Sequence, residues 1–182
     1  MGSFILHPTD TAQWQALVHE AQSARSLILG DELESYLVFM LIRFSTQPEI
    51  AKSILATEFL EGLESLGQKK HDLLRNLGDK CLLFSGFFPG VAEHRHVKIS
   101  YFVNLGQSAY HTLSDLVPKD TKLFERLCEG FVSLMDVLQT MKSLSKDQTL
   151  LSPLEATELW LDTKSQHALD TLRRYTKSTP IS

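Results

Sequence analysis

Apolar residues recur along this chain at intervals of three and four, a spacing that predicts helices. No stretch alternates apolar and polar positions for long enough to make a strand. After a short irregular arm over residues 1–8, Thr9 or Asp10 opens a helix whose inner face is Trp14, Leu17, Val18, Ala21 and Ala24, ended or broken at Gly30. Asp31 to about Ser45 is a second helix, acidic at its start and apolar on every side from Tyr36 to Ile42. Such a helix is either central in its bundle or in contact with another subunit. Pro48 opens a third, Glu49 to about Leu66, with Glu58, Glu61 and Glu64 as its solvated ridge and Gly67 as its stop.

A fourth helix runs from Gln68 or Lys69 to Ser85 with Leu73, Leu74, Leu77, Cys81 and Phe84 as its stripe. Gly78 inside it either permits close packing or marks a kink. Gly86 fits a left-handed helix stop, and Phe87-Phe88-Pro89-Gly90 reads as a turn. Val97–Leu116 is a fifth helix with small residues around Gly106, and Asp120 to about Ser145 is the longest. Ser152-Pro153-Leu154-Glu155 carries a capping signature for a helix over 153–163. A last helix covers about 164–176, and 178–182 are irregular. The expected fold is all-α: one domain over residues 1–182, a bundle of about seven to eight mostly antiparallel helices.

Composition narrows the function classes. The 182 residues are 43% hydrophobic and 22% charged, as in a globular domain. A net charge of −4 gives no basic footprint for duplex nucleic acid. Cys81 and Cys128 form no C-x-x-C pair and read as reduced, buried small hydrophobes. The N-terminus lacks the pattern of a signal peptide, and the apolar run Tyr36–Ile42 falls far short of the roughly 18 residues of a membrane span. A soluble, cytoplasmic protein is expected.

Candidate chemistry gathers in the middle of the chain. Leu77-Gly78-Asp79, Leu83-Phe84-Ser85-Gly86-Phe87-Phe88, Arg95, Tyr101, Gly106 and Ala109-Tyr110 follow one another in an order that resembles a family of uncharacterised bacterial proteins. The likeness is specific over residues 77–110 and only compositional elsewhere. Phe102 stands where that family usually has a second tyrosine. The resemblance implies a bacterial, cytoplasmic, all-helical protein; it brings no activity, cofactor or partner. It directs attention to Asp79, Ser85, Arg95, Tyr101 and Tyr110.

A hairpin would bring Arg95 to Asp79, either as an ion pair locking the turn or as an arginine fork for a carboxylate or phosphate. Ser85 lacks the G-x-S-x-G frame of a hydrolase and reads as a helix-end residue bonding back to a carbonyl. His94 and His96 beside Glu93, and His111 four before Asp115, are ligand types without a metal frame, so no metal site is expected. Phe87 and Phe88 sit in a turn, where they need a pocket or a partner's surface. Two readings follow. One is a helical interaction protein, homodimeric through Phe87, Phe88 and part of the second helix. The other is a small-molecule-binding bundle, enzymatic or not and of unspecified cofactor. Its pocket would lie near residues 79–110, where Arg95, Tyr101 and Tyr110 would orient the ligand.

Overall fold

A computed structural model describes residues 8–47, 49, 54–146 and 151–178, and among them all regular structure is helical. The helices are α1 Pro8–Arg25, α2 Asp31–Ser45, α3 Leu55–Glu64, α4 Gly67–Gly86 and α5 Gly90–His94. They continue with α6 Ile99–Leu116, α7 Thr121–Glu129, α8 Phe131–Lys146, α9 Pro153–Thr163 and α10 Gln166–Ser178. The expected irregular arm (apart from Pro8, which is helical), the tail past Ser178 and the start of the third helix at Pro48 lie outside the described residues. Ser178 closes α10 instead of opening the irregular tail, and the described part of the third helix begins at Leu55.

Ten described helices replace the expected seven or eight, for local reasons. The long segment after Asp120 divides at Gly130, which closes α7 through its amide to the Arg126 carbonyl at 2.8 Å. The Gly130 carbonyl then accepts from the Leu134 amide and opens α8. The aromatic turn is tighter than expected: Phe87 N–H donates to the Leu83 carbonyl at 2.7 Å, and five residues beyond Pro89 wind into α5. Lys164, left-handed at φ 59°, separates α9 from α10. The capping signature holds: the Glu155 amide donates to Ser152 Oγ, and Glu155 Oε2 accepts from the Ser152 amide.

Gly86 is not the left-handed stop its position suggested. It is helical, and a Cβ there would stand 2.5 Å from Leu138 Cβ, so glycine lets α4 approach α8. Gly78 serves the same end against α6, where an added Cβ would meet the Tyr110 ring at 2.5 Å. Helix α4 is thus a hub, packed against α3, α6 and α8. Helix α1 lies on α2 and α8, α7 on α6, and α9 on α10 and α6.

The buried apolar core draws on every one of these helices. Phe84, Phe102, Tyr110, Phe124 and Phe131 are among its largest fully buried side chains. Each such side chain contributes about 1.5–3 kcal/mol on burial. In α2, Leu33, Leu37, Val38, Met40, Leu41, Ile42 and Phe44 are all buried within the chain itself. Most of the apolar run of α2 is thus spent inside the chain, against α1 and α7, while Phe39 is 63% exposed.

Candidate functional site

Asp79 is wholly buried on α4, and three helices converge on its carboxylate. Tyr36 of α2 donates its hydroxyl to Oδ1 at 2.5 Å, and Tyr110 of α6 donates to the same oxygen at 2.6 Å. Arg43 of α2 donates from Nη2 to Oδ2. Arg75, one turn before Asp79, holds its Nε 4.0 Å from Oδ2 and its guanidinium over the Tyr36 ring, 5.5 Å from the centroid. Local geometry makes this convergence possible. Tyr36 and Arg43 are seven apart, two turns along one face of α2. Gly78 lets the Tyr110 ring lie flush on α4, so that its hydroxyl reaches the next residue.

Burial pushes the Asp79 carboxyl above its ordinary range, while Arg43 and the two hydroxyls pull it back. Burial and then the Asp79 charge push both tyrosines well above theirs, so they remain neutral O–H donors. An ionised carboxylate is acceptor-only, and here its two oxygens take two hydroxyls and a guanidinium. Chemically the arrangement is a tie between α2, α4 and α6, with a guanidinium rim at the surface.

The expected Asp79–Arg95 pairing is replaced by this set. Arg95 ends α5 and lies over the Phe84 ring, 5.3 Å from its centroid. Ser85 is buried and donates to the Cys81 carbonyl at 2.8 Å, the backward bond expected of it. Phe87 is half-buried, edge-on to Trp14, and its carbonyl accepts from Lys142 Nζ at 2.8 Å. The same ammonium stands 4.5 Å from the centroid of Phe88, which is 46% exposed. Tyr101 is exposed on α6 with its ring edge-on to Phe102. The seven candidates therefore fall into a buried group (Asp79, Ser85, Tyr110), a half-covered turn (Phe87, Phe88) and separate rim positions (Arg95, Tyr101).

No protein-family model matches the chain, and no curated protein or solved structure is significantly similar to it. The likeness over residues 77–110 rests on its motif residues alone.

A groove of about 270 Å³ opens where residues 92–100, from α5 to the start of α6, meet Ser152 and α9. Val97, Lys98, Ser100, Ser152, Glu155 and Glu158 give it its polar and apolar walls, and none of the seven candidates lines it. Among the described residues no group of three His, Cys, Asp or Glu side chains is placed to hold a metal. His111 and Asp115 form an exposed pair 4.0 Å apart. Cys81 is buried, and burial pushes its thiol up; Cys128 is half-buried. No described helix is long and apolar enough to cross a membrane.

Sequence reasoning missed Tyr36, Arg43 and Arg75. A usable signal was present for Arg43, a charge at the end of a run otherwise apolar from Tyr36 to Phe44. A cation so placed needs a buried carboxylate, and Asp79 is the aspartate flanked by Leu77, Gly78 and Cys81.

Proposed function

We propose that this is a bacterial, cytoplasmic helical interaction protein that self-associates as a homodimer. The observation that carries the reading is the outer face of α3. Ile54, Leu60, Leu63 and Leu66 are between 39% and 85% exposed along that helix and its two ends. The opposite face is spent on the fold, with Leu55 buried and Gly62 closing on Leu74 of α4. Leu60 and Leu63 stand one turn apart on α3, with Ile54 and Leu66 just beyond its two ends, and each contributes about 1.5–3 kcal/mol if fully buried. The ridge is bordered by both charges, Glu61 and Glu64 against Lys69. Lys69 pairs with Glu61 within the chain at 3.3 Å, which offsets part of the acidic charge beside the ridge. The contact is placed away from where the sequence suggested it, since most apolar side chains of α2 are buried within the chain and Phe87 packs edge-on to Trp14.

A ligand pocket formed by the central polar residues themselves has less support. Asp79, Ser85 and Tyr110 are sealed from solvent and already hydrogen-bonded. Sedimentation of the full chain tests the proposal. The wild type should run as a dimer, and the double variant Leu60→Glu, Leu63→Glu as a folded monomer. A wild type that remains monomeric at the highest attainable concentration overturns it.

A further inference from the structure

The guanidinium rim over Asp79 has more donors and more charge than the carboxylate beneath it uses. Arg43 and Arg75 bring two positive charges to one negative one, and the neighbouring tyrosines stay neutral. Among the described residues, four buried side-chain nitrogen or oxygen atoms have no hydrogen-bond partner, and two of them are Nε of Arg43 and Nε of Arg75. Buried N–H groups left unpaired are costly and uncommon, so two of them side by side call for an acceptor. The side chains are not sealed: Arg43 is 30% and Arg75 42% exposed. The exposed parts of the two guanidinium groups can meet a solute.

Among the described residues no further acid forms an ion pair with either guanidinium. Arg75 also engages the Tyr36 hydroxyl, and Asp72, one turn before it on α4, feels its charge but is exposed and accepts from Gln68 at 2.8 Å. On α2, Glu32 is taken by Arg126. One more feature marks the place. Phe39, 63% exposed, lies four residues before Arg43 and three after Tyr36, on the same side of α2. It offers an apolar platform next to the cations.

We propose that Arg43 and Arg75, held apart and oriented by Asp79, form a surface site for a small organic oxyanion, a phosphate or carboxylate whose apolar body rests on Phe39. Planar guanidinium forks suit either head group, and two forks on different helices give the site a defined geometry. The site involves neither α3 nor self-association.

Calorimetric titration of the full chain with phenyl phosphate, benzoate and inorganic phosphate tests the assignment. At least one aromatic probe should bind saturably, one per chain, and phenyl phosphate more tightly than inorganic phosphate. Arg75 makes no direct hydrogen bond to Asp79, so Arg75→Gln should stay folded and weaken binding at least tenfold. Arg75→Lys keeps the charge but not the fork and should fall in between. The Leu60→Glu, Leu63→Glu chain should bind as the wild type does. The proposal is overturned if no probe binds saturably, if Arg75→Gln binds as tightly as the wild type while its thermal melt is unchanged, or if inorganic phosphate matches phenyl phosphate.

Discussion

Replacing Gly78 by alanine probes the tightest point of the fold. The new Cβ would stand 2.5 Å from Tyr110 Cε1, 2.8 Å from Cδ1 and 2.9 Å from Cζ. Carbon atoms in contact prefer about 3.5–4.0 Å, so the ring must move by roughly 1 Å or the helices must part. The ring has no room behind it, because Phe124 stacks at 6.2 Å and Phe131 lies at 6.0 Å between centroids. Overpacking of this kind costs about 1–3 kcal/mol. Pulling the Tyr110 hydroxyl off an ionised carboxylate adds about 1.5–3 kcal/mol. Against both stands the gain of about 1 kcal/mol for alanine over glycine inside a helix.

The balance is a loss of about 3 kcal/mol, or a fall in Tm of roughly 6–12 °C for a chain of this size. Urea and thermal unfolding would measure it. Gly90→Ala is the control: its Cβ meets nothing within 4 Å, so the same change should stabilise by up to about 1 kcal/mol. In a Tyr110→Phe background the cost of Gly78→Ala should shrink, since the hydroxyl is already gone. A Gly78→Ala protein as stable as the wild type would refute the reasoning.

Two further perturbations address the buried polar groups. Asp79→Asn leaves Arg43 facing an amide N–H or a weaker acceptor; broken buried pairs cost about 3–5 kcal/mol, and the partial exposure of Arg43 puts this one near 3, measurable by denaturant midpoint. The pH dependence should show two opposed contributions. Burial holds His167 down at about 4 from an ordinary 6.5, so its neutral form stabilises the fold above 6.5 and that stability is lost as pH falls towards 4, about 3 kcal/mol in all. Burial lifts Asp136 to about 6 from 3.8, so its contribution is present below 3.8 and lost as pH rises through 6, again about 3 kcal/mol. Between pH 4 and 6 the wild type should thus be flatter than either variant: His167→Gln should gain stability relative to it on acidification, and Asp136→Asn should lose more. Parallel curves for all three proteins would contradict both assignments.

How far the fold can be read without coordinates follows from particular residues. Helix α2 is bounded as its acidic start and apolar run suggest, and α9 begins at the Ser152 cap. Periodicity did not separate α7 from α8, because the two share a continuous apolar stripe. Only their different partners, α6 for one and α1 and α4 for the other, show what Gly130 is for. Asp79 and Tyr110 were legible as a focus, yet the cation was sought at Arg95, sixteen positions on. The true partner, Arg43, lies 36 residues before Asp79. A helical period states which side of a helix faces inward but not which other helix it faces. Neighbours in space that are distant in sequence are therefore the part that pattern reading lacks.

The Asp79 tie also restricts how the chain can be wrongly assembled. From Leu37 to Ile42 helix α2 is so continuously apolar that hydrophobic contact there would tolerate it sliding along its neighbours. A slide of one turn, about 5.4 Å, would bring Leu33 or Met40 to the place of Tyr36. The carboxylate would then lose the Tyr36 hydroxyl and the Arg43 guanidinium and keep only Tyr110, at a penalty of several kcal/mol. Mis-slid packings that are almost equal in apolar burial are thereby lifted away from the native one. A single buried charge gives an otherwise slippery helix one register.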